Sequence, residues 1–375
     1  MNKINNLRLA TFGAKPVITL TEVKYYKQTP DFKSVKRHFS GLFESRWYTN
    51  QGPLTNTLEN QLSGALNTKH AICMTNYSIA LAICILAFGK RGEVIVPNGV
   101  SNHVLSAITM AGCTPIKVDS DAKTLSINVN YVSNFISNNT VAIWGLNITG
   151  SDQYFDKIKH SENIFTIVDE SITLSFQTPL KYLSNKKVVS ISTFNQPSLL
   201  NASDGAFLCT NDDALAAKLR NIRSSYGAGT QVSIPFTGNG RLSEAQALLV
   251  LNAINNFDVR CNIRKSIYEK VISYLLNIPG IEVQLYSNDQ NFNNYQNLIF
   301  SFDSIKFGLS WLTFSNIMQK ENVSLNSICS TKGDVTIVSF PINELIHVQK
   351  YVEIFDLFRY IQGNAQIIEQ ELKFL

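Results

Sequence analysis

The sequence predicts an α/β fold: a large domain built on a mainly parallel β-sheet, followed by a smaller C-terminal α+β domain. Three observations carry this. Short β-branched runs recur between residues 94 and 209, helix-length segments separate several of them, and the pattern changes near residue 258. Such alternation argues for parallel strands covered by helices on both faces. At 375 residues and 45% hydrophobic the chain can bury a sizeable core and exceeds one typical domain. The large domain is placed at 1–257, with an N-terminal arm, and the smaller at 258–375.

The elements follow in order. A first helix is expected over Thr55–Leu66, where Leu58, Leu62 and Leu66 recur every four residues. Strands are read at Val94–Val96, Pro115–Val118, Val141–Trp144, Phe165–Val168, Val188–Ser192 and Ala206–Cys209. Helices follow at Asp212–Arg223 and Ser243–Asn256. Asp212 and Ser243 suit the N-cap, where a short side-chain oxygen accepts an exposed backbone N–H. Beyond Asp258 an amphipathic helix runs to Leu276 and breaks at Ile278-Pro279-Gly280, with strands near Asn297–Phe302 and Val335–Phe340.

Composition narrows the function class. The formal net charge is +5 without a long run of like charges, which suits a small anionic ligand or a solvated surface rather than a nucleic-acid groove. The six cysteines show no C-x-x-C spacing, so reduced thiols are expected and no metal or disulfide framework. The start, MNKINNLRLATFGAKP, lacks an apolar signal-peptide core, and no apolar stretch approaches the roughly 18 residues that span a bilayer. A cytoplasmic protein with no membrane partner is expected.

The most informative stretch is VSISTFNQPSLLNASDGAFL, residues 189–208, which reads as strand, polar loop and strand. Four further stretches stand out: Trp47-Tyr48-Thr49-Asn50-Gln51-Gly52-Pro53 before the first helix; Thr75-Asn76-Tyr77-Ser78 before a second; Glu93-Val94-Ile95-Val96-Pro97; and Gly238-Asn239-Gly240-Arg241-Leu242-Ser243-Glu244-Ala245-Gln246-Ala247. In this order and spacing, together with Val168-Asp169, they resemble the sugar aminotransferases of the DegT/StrS family, which are fold-type I pyridoxal-phosphate enzymes. The resemblance covers most of the chain. It implies a seven-stranded, fold-type I aminotransferase-like large domain, a nucleotide-linked sugar as ligand, and a homodimer whose site is built from two chains.

Carried onto this sequence residue by residue, the resemblance implies that Asp169 would face the pyridine nitrogen of the coenzyme. Ser78 and Thr193 would hold its phosphate, and Asn239 would reach that phosphate from a partner subunit. A helix N-terminus such as that at Ser78 favours an anion. Elsewhere the chain departs from the family. Tyr77 replaces the glycine of the phosphate turn, where backbone must approach the ligand closely. Ser101 replaces the ring-stacking aromatic, Ile172 a Gln or His, and Asn195 the loop His. Most consequentially, Ser198 stands at the position of the Schiff-base lysine.

A serine cannot hold the coenzyme covalently and is a poor base near neutral pH. Loss of a positioned base commonly costs about 10²–10⁴ in rate. No covalently bound cofactor is expected. His103, in the loop after Pro97, is the nearest candidate acid or base. Three functions remain open: a nucleotide-sugar-binding relative that is catalytically silent or independent of pyridoxal; an enzyme using non-covalently held pyridoxal or pyridoxamine phosphate; and a non-catalytic partner subunit of an active homologue.

Overall fold

Seven strands, β1 (His70–Met74), β2 (Glu93–Pro97), β3 (Thr114–Val118), β4 (Thr140–Leu146), β5 (Phe165–Asp169), β6 (Val188–Thr193) and β7 (Ala206–Thr210), join in one sheet in the order β1-β7-β6-β5-β4-β2-β3. In the computed structural model, which describes residues 8–18, 32–120, 127, 129–148, 163–177, 179–195, 198–226, 229–283, 295–330 and 334–373, the sheet is mixed. Its neighbours are parallel except that β7 runs antiparallel to both β6 and β1. The carboxyl ends of β1 to β6 therefore share one edge, together with the loop that joins β6 to β7. Ligands of open α/β sheets bind outside that edge.

The expected strands all form, each within a residue or two of its anticipated bounds, and β1 joins them. Its sequence, HAICM, is short, and it gains definition only by pairing with β7 across more than a hundred residues. The helix Tyr77–Ala87 is apolar nearly all round, YSIALAICILA, and is buried against the sheet accordingly. Asn76 caps it by accepting a hydrogen bond from Ile79 N at 2.8 Å. The other anticipated caps also form. Asp212 accepts from Ala214 N and Leu215 N ahead of the helix Asp213–Ser224, and Ser243 makes a reciprocal capping box with Gln246 ahead of Glu244–Asn255.

The chain divides into two units between Val259 and Arg260, inside the helix Phe257–Leu275. Described residues 32–259 carry the seven-stranded sheet. The second unit holds four antiparallel strands, β8 (Ile281–Val283), β9 (Asn297–Asp303), β10 (Asn326–Ser330) and β11 (Val335–Pro341), in the order β10-β11-β9-β8. Its core is aromatic: Phe302 stacks on Phe314 at 5.0 Å, and Phe358 meets Phe314 edge-on at 5.0 Å. Residues 8–18, which the sequence reading attached to the large domain, group with this second unit. Glu321 is the physical reason, since its two carboxylate oxygens accept from Ala10 N and Val17 N, each at 2.6 Å.

A buried ion pair ties the helix Pro53–Ala65 to the helix Asp213–Ser224 and to β1. Arg223 is 0% exposed and donates to Glu59 Oε1 at 2.5 Å and to Cys73 O at 2.8 Å, while Cys73 N donates to the same Glu59 oxygen at 2.9 Å. Removing one member of such a pair leaves the other buried and uncompensated. Arg223→Ala should therefore lower unfolding free energy by about 3–5 kcal/mol in urea denaturation. A change below about 0.5 kcal/mol, the range of neutral surface substitutions, would mean that the pair does not form.

Candidate functional site

The candidate site is built where β5 ends. Asp169 is its last residue and is 5% exposed, so its carboxylate needs donors from the protein. Tyr77, the first residue of the helix Tyr77–Ala87, donates its hydroxyl to Asp169 Oδ2 at 2.6 Å. Ser171 N donates to the other oxygen, Oδ1, at 2.8 Å. The Tyr77 oxygen in turn accepts from Trp144 Nε1 at 3.2 Å, Trp144 lying on the adjacent strand β4. Both carboxylate oxygens thus have a donor, and the phenol is held from two sides.

Burial pushes the Asp169 carboxyl up, opposed by the hydrogen bonds from Ser171 and Tyr77. The Tyr77 phenol is held well above its ordinary value, first by burial and then by the charge and hydrogen bond of Asp169. The phenol therefore stays a donor through neutral pH. Glu170, the next residue, is buried in its own nest of neutral donors: Asn147 Nδ2 at 2.9 Å, Thr173 Oγ1 at 2.7 Å and Tyr182 Oη at 2.8 Å. Burial raises its carboxyl as well.

Several described polar groups of the loop between β6 and β7 bond within the loop. Thr193 Oγ1 donates to Gly205 O at 3.1 Å and accepts from Asn195 N at 3.1 Å. Asn195 Nδ2 donates to Asp204 Oδ1 at 2.7 Å. Ser198 is 1% exposed and its hydroxyl accepts from Leu200 N at 3.1 Å. No lysine occurs between Lys187 and Lys218. Lys187 precedes β6, at the edge of the sheet away from Asp169, with its ammonium 4.5 Å from the Phe165 ring centre.

The other anticipated residues are more dispersed. Ser78 follows Tyr77 in the first helical turn and is half-buried. Ser101 caps the helix Asn102–Met110 by position without a side-chain hydrogen bond, and it and His103 are exposed, after β2 and thus two strands from β5. Asn239 is exposed and accepts from Arg241 Nε at 3.0 Å. The structure joins Tyr77 and Asp169 directly and places Ser78 and Thr193 on the neighbouring elements. It turns the Ser198 hydroxyl toward its own loop. Among the described residues, no three His, Cys, Asp or Glu side chains gather where they could share a metal ion.

Two residues of consequence escaped the sequence reading. Trp144 was read only as part of a strand, since a strand tryptophan gives no sign of what its N–H will meet. Glu244 was read as part of a motif, and its work is structural. It is 0% exposed and accepts from Gly52 N at 2.8 Å, Leu54 N at 2.7 Å, Thr55 N at 3.1 Å and Thr55 Oγ1 at 2.5 Å, capping the helix Pro53–Ala65. Backbone bonds from Gln51 N to Leu242 O and from Thr75 N to Gly240 O pin the same loop to the entry turn and to the end of β1. The signal that could have found Glu244 was an acidic residue paired with a Gly-Pro helix start.

Residues 32–327 match the DegT/DnrJ/EryC1/StrS aminotransferase family, and the chain belongs to it. A GDP-perosamine synthase of Escherichia coli O157:H7 is 28% identical over 185 residues, which are 48% of this chain and 51% of that protein. Another from Caulobacter vibrioides is 25% identical over 244 residues, 62% of this chain and 66% of that one. The matched stretches thus span between half and two thirds of these relatives. The structure of DesI in the presence of its TDP-sugar product superposes with a TM-score of 0.85 at 19% identity over 98% of both chains, which shows the shared fold.

Tyr77 yields a pH signature. A phenol whose pKa is raised in the folded state contributes stability that is fully present below its unfolded value, about 10, and is lost as pH climbs toward the folded value. Tyr77→Phe removes that proton from the balance. Above pH ~10 the fall in unfolding free energy of the wild type should be steeper than that of Tyr77→Phe by up to about 1.4 kcal/mol per pH unit. Parallel alkaline limbs in urea denaturation would contradict a carboxylate-bound phenol.

Proposed function

We propose that this chain is a nucleotide-sugar-binding member of its family, acting in sugar or polysaccharide biosynthesis without a covalently attached coenzyme. The observation that carries the reading is the loop between β6 and β7, in which Ser198 stands at the lysine position and no residue from 194 to 205 offers an amine. Bond-forming attachment of a pyridoxal aldehyde needs such an amine. Relatives named as GDP-perosamine synthases, and a fold neighbour crystallised with a TDP-sugar product, support a nucleotide-linked sugar as ligand.

The coenzyme that the family implies does not fit the residues present. When bound in its usual form it would act as an electron sink, for which a carboxylate must face its ring nitrogen. Here the carboxylate of Asp169 is already met on both oxygens by Tyr77 and Ser171. Ile172 is buried and apolar, and Ser101 is exposed and has no ring to stack. We derive no catalytic step through the coenzyme. Homodimerisation belongs to the same proposal. Phe39, Phe43, Trp47 and Tyr48 are exposed on and after the helix Phe32–Ser45, as expected of a surface that a second copy would cover. Placement in the cytoplasm is supported by the buried thiols of Cys73, Cys84, Cys113 and Cys209, none of which is in a disulfide. Among the described residues no helix is long and apolar enough to cross a membrane.

Two measurements on the purified protein test the reading together. Titration with GDP- and TDP-linked 4-keto-6-deoxy sugars should give saturable binding of at least one. Incubation with pyridoxal phosphate, borohydride reduction and peptide mapping should recover no coenzyme on the segment 188–210. A coenzyme-bearing peptide from that segment, or no binding of any nucleotide sugar, would count against the proposal.

A further inference from the structure

We infer that the Tyr77 phenol occupies the space in which a coenzyme ring would meet Asp169, so that this chain's own side chain is the fixed occupant of that position. The inference deepens the reading above and rests on its placement of the ring site at Asp169. Distance and bonding carry it. A 2.6 Å bond from phenol to carboxylate is the length of a charge-assisted O–H···O⁻ contact. The hydroxyl has one proton to give and gives it to Asp169, while Trp144 Nε1 donates into its lone pair at 3.2 Å and fixes that orientation.

The anchor is rigid for a second reason. Tyr77 is the first residue of a helix whose Ala80, Leu81, Ala82, Ile83, Cys84 and Ile85 are buried in the core, and Asn76 locks the helix start. The ring cannot leave by a shift of that helix without disturbing packed side chains, which costs as much as a core substitution. The other departures then form one set with Tyr77. An occupied ring site needs no amine at 198, no stacking aromatic at 101 and no polar group at 172. It does need a neutral donor for a buried carboxylate, which a phenol supplies and a glycine could not. Tyr77 is therefore assigned as the residue that sets this site's specificity, by excluding a planar aromatic coenzyme.

Calorimetric titration of pyridoxamine phosphate into wild type, Tyr77→Phe, Tyr77→Ala and Tyr77→Gly tests this. Wild type and Tyr77→Phe keep the ring and should bind weakly and alike. Ala and Gly variants open the space and should bind at least about tenfold more tightly, in line with relief of overpacking. Wild-type affinity equal to that of the small variants, or a gain in Tyr77→Phe as large as in Tyr77→Gly, would overturn the assignment. A second measurement needs no variant. Tyrosine nitration of the wild type followed by peptide mapping should leave Tyr77 unmodified, with and without excess pyridoxamine phosphate, and prompt nitration of Tyr77 would overturn the inference. Failure here with sugar binding retained would remove the occupant while leaving the reading of Ser198 intact.

Discussion

A buried carboxylate must be given partners, and the site is arranged around that requirement at Asp169. The side chain ends β5 almost wholly buried, so its desolvation has to be offset by donors from nearby. Tyr77 and Ser171 supply one each, and Trp144 holds the phenol in place. A neutral donor leaves the carboxylate without a cation, which is why burial still pushes its pKa upward. The adjacent Glu170 solves the same problem the same way, with Asn147, Thr173 and Tyr182 and no cation. Two consecutive acids at a strand end are thus satisfied by amides and hydroxyls alone in the bonds described.

The sheet makes this arrangement possible. Because β1 to β6 end on one edge, the helix start at Tyr77, the end of β5 and the β6–β7 loop come from widely separated sequence yet meet at the same edge of the sheet. The loop from Gly238 to Glu244 adds the remaining constraint. Glu244 closes the N-terminus of the helix Pro53–Ala65, where the backbone N–H groups of Gly52, Leu54 and Thr55 would otherwise lack partners, and so fixes the entry turn beside β1. In this chain the segment works as a clamp, with Asn239 exposed.

The legibility of these features in the sequence follows their range. β-branched runs and capping residues act over a few positions, and they place β2 to β7 and the caps Asp212 and Ser243 within a residue or two. β1 was missed as a strand, because its definition comes from a partner more than a hundred positions away rather than from local pattern; the strands β8 and β10 of the four-stranded sheet were missed as well. Ser198, Ile172 and Ser101 could be recognised as departures from a resemblance. What the departures do could not, because the bond from Tyr77 to Asp169 spans 92 positions and no periodicity encodes it. The N-terminal arm went with the wrong unit for a similar reason: Glu321, whose carboxylate holds residues 10 and 17, lies more than three hundred positions away.

In the proposed reading the β6–β7 loop offers no amine and Tyr77 leaves no room for a coenzyme ring. Restoring each separately and then together measures it most directly. Ser198→Lys, Tyr77→Gly and the double variant would be incubated with pyridoxal phosphate, reduced with borohydride and mapped by mass spectrometry. A coenzyme-bearing residue 198 is expected in the double variant, and little or none in Ser198→Lys alone. Full labelling of Ser198→Lys with Tyr77 still in place would contradict it.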